Sequence, residues 1–420
     1  MSDQPSKWRA GLRRILWVLA AAVAVGVALP FGCVGNRMFN TEPEDYLRTF
    51  STSDGLPYSV AVVEFDDQGQ PWDLRQLGAA IAEIRRFNRI SEDGIILYQF
   101  IHGWKSNAAR EKSSGQRLAW FESRVAAVAE QSESDALRGT DRPRPVVGLY
   151  IGWRGRTYSL PILIDASFWN RRVAAHRVAS EGLTEVLYRT VNAAREHPNS
   201  KCALLGHSMG GMILEKTLAS ALVPEILLAE HAEAPVPVRY DLIVAANAST
   251  EALHTKQLID VFKRADVGLI LEDAAGRRRP AAGPMLASIT SVDDGVTRYM
   301  VPLAMTLNSL FVRYRPAPDD SLVSQRRLGI HTAGHLPVLH SHIVEVAGGD
   351  IAIRELPGRW NDTPFWVFQV PAEISRNHGD IDGPLWGRLM LQLMEGNRVF
   401  DPDVRLLLAA AASEGGTPGS

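Results

Sequence analysis

Cysteine is scarce. The 420 residues contain two, Cys33 and Cys202, which is neither a disulfide framework nor a cysteine-based zinc spacing. Cys202 sits in an apolar run and reads as a small buried hydrophobe. A charge excess is also missing: 45 Lys and Arg stand against 47 Asp and Glu, a net charge of -2. That excludes the basic excess with which nucleic-acid binders meet phosphates, so no nucleic-acid partner is expected. The sequence has no internal repeat and no long low-complexity tract, which argues against a solenoid and against wholesale disorder. What remains is a hydrophobic content of 46% with 22% charged residues, enough for a sizeable core in one large domain with insertions, or in two domains.

The N-terminus carries Lys7, Arg9, Arg13 and Arg14, followed by an uncharged apolar run from Ile15 to Leu29 and then Pro30-Phe31-Gly32-Cys33. A basic flank before such a run predicts a membrane or export segment over 1–34. Three forms fit: an uncleaved transmembrane helix over about 15–34, a lipoprotein signal with Cys33 as first mature residue, or a cleaved signal peptide. In each, the basic side stays cytoplasmic and the body lies on the exported side, periplasmic or extracellular. Residues 35–56 are polar and irregular and are expected to be a linker. The body is expected over 57–400, and 401–420 form a tail that becomes rich in Gly, Ser, Thr and Pro after Ala411.

Through the body, apolar runs alternate with helical periodicity. Strands are expected at Tyr58–Phe65, Gly94–Ile101, Pro145–Ile151, the run before Gly206, Asp241–Ala246, Pro284–Thr290 and Pro364–Val370. Helices are expected after Asp73, at Leu118–Ala129, at Val173–Ala194 and from Ile213 to Leu222. Most strands are unbroken apolar runs, as strands buried on both faces are. The fold class is therefore α/β, a mostly parallel sheet with helices on both faces. Ligands in such sheets bind beyond the carboxyl ends of the strands. His102, Trp153, Ser208, Asp294 and His378 all follow strand ends.

One of these ends has a recognisable spacing. Gly206-His207-Ser208-Met209-Gly210-Gly211 joins an apolar strand to a helix as Gly-x-Ser-x-Gly. A serine at the tip of so sharp a turn projects its hydroxyl above the sheet, and Gly206 and Gly210 leave room for the neighbouring strand and helix. A serine hydroxyl needs a base, and the base needs an orienting acid. After such an elbow the chain order is Ser, then Asp or Glu, then His; the acid is Asp294 or its neighbour Asp293, in Ser291-Val292-Asp293-Asp294-Gly295-Val296-Thr297, with Asp294 favoured. The base is His378, in His378-Gly379-Asp380 after the last strand. Charge developing on a substrate carbonyl needs preorganised N–H groups. Met209 offers one and Trp104 the other, from His102-Gly103-Trp104, where His102 and Gly103 shape the loop.

On these four segments, residues from about 57 to 400 resemble an α/β-hydrolase-fold serine hydrolase. The Gly-His-Ser-x-Gly-Gly form is common in lipases and esterases of that fold. With Gly152-Trp153-Arg154-Gly155 and Trp169-Asn170-Arg171-Arg172, the pattern is similar to poorly characterised bacterial hydrolases. The resemblance implies acyl transfer from carboxylic esters by Ser208, His378 and Asp294, without metal or other cofactor. It leaves open acyltransferase, thioesterase or peptidase use of the same residues, and a catalytically silent binding module. A membrane nearby makes lipid or small-molecule esters the expected substrates.

Three further features stand out. The apolar stretch Thr157–Trp169, within 155–175, is open to a lid or pocket role. His331, His335, His340 and His342 are close in sequence but lack the spacing of a metal site. Arg277-Arg278-Arg279 reads as a solvated basic loop.

Overall fold

A computed structural model describes residues 35–398 apart from 111–116, 138, 140–141, 159–160, 233, 238, 265–269, 273–277, 281–283, 316–323 and 358–362. The membrane segment expected over 1–34 and the tail over 401–420 lie outside the described residues, as does Arg277. Among the described residues, no helix is long and apolar enough to cross a membrane.

Eight strands form the central sheet: β1 (Leu47–Ser51), β2 (Pro57–Glu64), β3 (Ile96–Ile101), β4 (Val146–Gly152), β5 (Lys201–His207), β6 (Leu242–Ala246), β7 (Leu286–Ser291) and β8 (Phe365–Val370). Their order is β1-β2-β4-β3-β5-β6-β7-β8. β1 runs antiparallel to β2, and every other neighbouring pair is parallel. The interior strands β4, β6 and β7 are buried along their whole length, which explains their unbroken apolar runs. Helices α1 (Leu74–Ile90), α3 (Phe168–Val178), α4 (Glu181–Arg195), α5 (Met209–His231) and α6 (Ala252–Arg264) cover one face through Phe87, Phe168, Val191, Met212 and Ile259. The other face is covered by α2 (Leu118–Leu137) and α8 (Pro384–Arg398), through Phe121, Val125, Trp386 and Leu389. Helix α7 (Val301–Asn308) follows β7. The result is a three-layer α/β body with a mostly parallel sheet.

The elements that differ from the sequence expectation include a strand at Arg278–Pro280, paired antiparallel with Ile270–Glu272 where a basic loop was expected, and three more. The linker expected over 35–56 contains β1, and Asn40 is fastened to the end of β2 by its backbone N–H and its side-chain amide, both donating to Glu64 Oε1 at 2.8 and 2.9 Å. The body therefore begins before residue 57. β1 carries no strand signal in the sequence because it is an edge strand, mostly exposed, without a continuous apolar run. The helix expected over 173–194 is two helices, broken at Ala179 and Ser180. There the turn around Gly69 comes close, so that a Cβ on Gly69 would collide with the Arg177 carbonyl and crowd the Ser180 hydroxyl, and Ser180 adopts an extended backbone. Finally, a hairpin pairs His342–Ala347 with Asp350–Glu355.

Helix α5 carries an unusual core residue. Glu215 is fully buried; Thr255 Oγ1 donates to its Oε2 at 2.9 Å, while Oε1 has no partner among the described residues. Burial pushes its pKa up from 4.5 to about 7. The native state thus keeps a proton that the unfolded chain releases. The corresponding stability is fully present below about pH 4.5 and is lost as pH rises through about 7. A shift of this size corresponds to about 3 kcal/mol. Glu215→Gln is expected to remove that loss. Denaturant midpoints at about pH 5 and about pH 8 should differ less in the variant than in the parent. Equal pH dependence in the two proteins would contradict it.

Candidate active site

β5 enters the site at the centre of the sheet. Its Gly206 pairs with Ile101 of β3 and Ala245 of β6, so the turn that follows lies at the carboxyl ends of three parallel strands. Ser208 has φ 59° and ψ -121°, outside the regions an L-residue favours. The glycines permit this by close approach. A Cβ on Gly206 would lie 2.6 Å from the Gly210 carbonyl oxygen, and one on Gly210 would collide with the Ile101 carbonyl. The other described non-glycine residues at positive φ are Lys105 at 70° and Asn247 at 47°. Both belong to loops of the same site, after β3 and β6.

The structure brings together Ser208, Asp294 and His378. His378 Nε2 is 2.7 Å from Ser208 Oγ, and His378 Nδ1 is 2.8 Å from Asp294 Oδ2. Asp294 is fully buried, Ser208 nearly so, and His378 partly. Asp293 is exposed, and its backbone N–H donates to Ser291 Oγ at 3.1 Å. Burial works against the charge of Asp294. Hydrogen bonds from His378 and Thr297, together with the charge of His378, outweigh it and hold the carboxyl below its ordinary value of 3.8. Asp294 Oδ1 also accepts the N–H groups of Val296 at 2.9 Å and Thr297 at 3.1 Å.

Behind this acid stands a second row of side chains that the sequence reading did not assign to the site. Thr297 Oγ1 donates to Asp294 Oδ2 at 2.5 Å and lies 3.0 Å from His335 Nε2. The Gln369 side-chain amide donates to His335 Nδ1 at 3.1 Å. Burial pushes His335 down to about 4, so its ring is neutral at ordinary pH. With Nδ1 accepting from Gln369, the ring proton sits on Nε2 and points to Thr297, which passes its own proton toward Asp294. His378 has a comparable support. His207 Nε2 and Asn247 Nδ2 approach the His378 carbonyl at 2.7 and 2.9 Å, and Arg117 Nη2 donates to the Gly379 carbonyl at 2.9 Å. Asn247 Oδ1 in turn accepts the Ser291 N–H at 2.9 Å, which ties the ends of β6 and β7 to the histidine loop.

The loop after β3 closes the other side. A Cβ on Gly103 would lie 2.7 Å from Ser208 Cβ, so glycine lets this loop touch the Ser208 turn. His102 holds the loop's shape. Its Nε2 accepts the Trp153 N–H at 3.0 Å, which leaves its proton on Nδ1, facing the Gly103 carbonyl at 2.8 Å. Burial pushes its pKa down to about 4. The N–H groups of Trp104 and Met209 have no hydrogen-bond partner among the described residues. The Met209 N–H also opens α5, whose dipole favours negative charge there.

Residues 165–168, within the 155–175 segment, pack against this loop. Trp104 Nε1 donates to Ser167 Oγ at 3.3 Å, its ring meets Phe168 edge-on at 5.3 Å, and Lys105 Nζ bonds Asp165 at 2.6 Å. Arg154 and Arg171 both bond Asp67 at 2.7 Å. Arg172 donates to the Ser249 carbonyl at 2.9 Å, and the Ser249 N–H reaches the Ser208 carbonyl at 3.1 Å. The arginines of the two Trp-containing segments therefore brace the site's rim.

The four nearby histidines do not converge. His335 serves Thr297, His340 Nε2 contacts the Gly334 carbonyl at 3.0 Å, His342 stacks on Trp366 at 3.7 Å, and His331 Nδ1 contacts the Arg327 carbonyl at 3.0 Å. Among the described residues, no group of three or more His, Cys, Asp or Glu is placed to hold a metal ion. No protein-family model, no curated protein and no solved structure matches the chain.

Proposed function

We propose that the chain is a serine hydrolase of the α/β-hydrolase fold that cleaves carboxylic esters through an acyl-enzyme intermediate. The reading is supported by the hydrogen-bonded line from Ser208 Oγ through both nitrogens of His378 to Asp294. His378 Nε2 takes the Ser208 proton as Oγ attacks the ester carbonyl, and Asp294 stabilises the imidazolium through Nδ1–H. The oxyanion is met by the Trp104 and Met209 N–H groups. The imidazolium then protonates the departing alkoxide, which leaves as alcohol. A water gives its proton to His378, attacks the acyl carbon, and releases the acid while Ser208 regains its proton. The apolar N-terminal run would hold the body at the exported side of a membrane, where lipid or other acyl esters are suitable substrates.

The test is labelling of the purified full chain with a fluorophosphonate, with the modified peptide identified by mass, beside a panel of p-nitrophenyl esters of rising acyl length. The expected result is a single adduct on Ser208 and turnover of at least one ester. Absence of both would overturn the proposal.

Thr297→Val separates the acid's support from the acid itself. It is isosteric, keeps the Thr297 N–H bond to Asp294, and removes the hydroxyl bond. The expected effect is a fall in kcat of about tenfold, near 1.4 kcal/mol, with KM unchanged. Unaltered kcat would show that the Thr297 and His335 row does not support catalysis.

A further inference from the structure

The element that starts at the acid loop continues into a face that nothing covers among the described residues. Tyr299, Leu303, Leu307, Leu310, Phe311 and Val312 are all exposed, Phe311 at 97%. The first three are spaced four apart and so lie along one side of the helical segment. Trp169 and Val173 of α3, also exposed, continue the patch. They line, with Met305, Asn308 and Val312, a groove of about 330 Å³. Arg172 forms part of the same groove and is joined through Ser249 to the Ser208 backbone. Isolated exposed apolar side chains are ordinary, but a contiguous set of this kind marks a contact surface.

Charge identifies the partner. The stretch 295–315 contains Arg298, Arg313 and Arg315 and no acid; Asp319 and Asp320 follow it in the sequence, outside the described residues. Arg326 and Arg327, from the short helix that lines the groove at Gly329, add two more exposed guanidinium groups. The exposed acid at the near end is Asp293. An apolar face bordered by arginines is the pattern of a surface that enters the headgroup region of an anionic bilayer. The entry of the chain agrees. The backbone N–H groups of Phe39 and Asn40 both bond the carboxylate of Glu64, the last residue of β2, so the chain preceding residue 39 joins the body at the carboxyl end of the sheet. That is the end from which the acid loop and α7 also rise. Thirty-four residues lie before the described body, and they carry the basic-flanked apolar run.

We infer that the face formed by 299–312 with Trp169 and Val173 docks on an anionic lipid bilayer, which would bring the groove and Ser208 to the membrane surface. The inference does not depend on the hydrolase reading. Its test uses the full chain in phosphatidylcholine vesicles with and without phosphatidylglycerol, with a benzophenone amino acid placed at Phe311. The control position is Leu137, an exposed residue at the opposite end of the sheet. The expected result is a lipid adduct at 311 about tenfold above that at 137 and several-fold higher with phosphatidylglycerol. Replacing Arg313, Arg315, Arg326 and Arg327 by Gln should remove the phosphatidylglycerol gain. Equal adducts at the two positions would overturn the inference. So would a crosslink from 311 to a second copy of the chain, which would make this face a dimer contact. Fluorophosphonate labelling of Ser208 in the same sample reads the hydrolase proposal separately.

Discussion

Ser208→Ala is expected to lower hydrolysis of p-nitrophenyl esters by about 10⁴ to 10⁶ and to abolish fluorophosphonate labelling. What remains would come from binding and from the Trp104 and Met209 N–H groups. The substitution is a clean one because alanine keeps Cβ, so the backbone at φ 59° bears the same strain before and after. Its melting temperature should stay close to the parent's. Ser208→Gly makes the contrast. It is equally inactive, but glycine adopts this backbone freely, and a strained non-glycine residue costs about 1–3 kcal/mol. The glycine variant should therefore melt higher than the alanine variant. Parental ester turnover in Ser208→Ala would end the assignment of the nucleophile. Equal melting temperatures for the two variants would show that the turn is not strained in solution.

The parts of this site that can be read from the chain are those confined to one short segment. The elbow is legible because its strand, its serine and its crowding glycines sit within six residues, and each obeys a local steric rule. The buried parallel strands are legible for a similar reason, since burial on both faces leaves a continuous apolar run. Thr297, His335, Gln369, His207 and Asn247 are different. Gln369 and His335 are separated from Asp294 by dozens of residues, and only the pairing of β7 with β8 and the turn at 333–335 bring them behind it. No spacing encodes such a row. His335 was visible only as one of four clustered histidines, and its partner decides its role. The break near Ala179 likewise lies where a distant turn, at Gly69, packs closely against it. The hairpin after His342 is a case where a signal was present. Gly348 and Gly349 form its two-residue loop at φ 60° and 93°, flanked by Ala347 paired with Asp350. Such a Gly-Gly loop between β-prone runs is a recognised hairpin pattern.

Asp294→Asn is expected to lower kcat/KM for esters by about 10⁴, with little effect on folding. The cause lies in how the carboxylate is held. Val296 and Thr297 N–H groups both donate to Oδ1, so an asparagine keeps its carbonyl oxygen there. Its amide nitrogen then occupies the Oδ2 position, 2.8 Å from His378 Nδ1. An amide there donates, and Nδ1 must accept. The ring proton moves to Nε2, where it faces Ser208 Oγ, and the histidine can no longer take the serine proton. The imidazolium also loses the buried negative charge that stabilises it. Asp293→Asn changes an exposed side chain one residue away and should leave kcat/KM within about twofold. The pair therefore reads direction as well as composition at this strand end. A large loss in Asp293→Asn together with a small one in Asp294→Asn would reassign the acid. Small losses in both would mean that His378 is oriented by its carbonyl contacts to His207 and Asn247 rather than by a carboxylate.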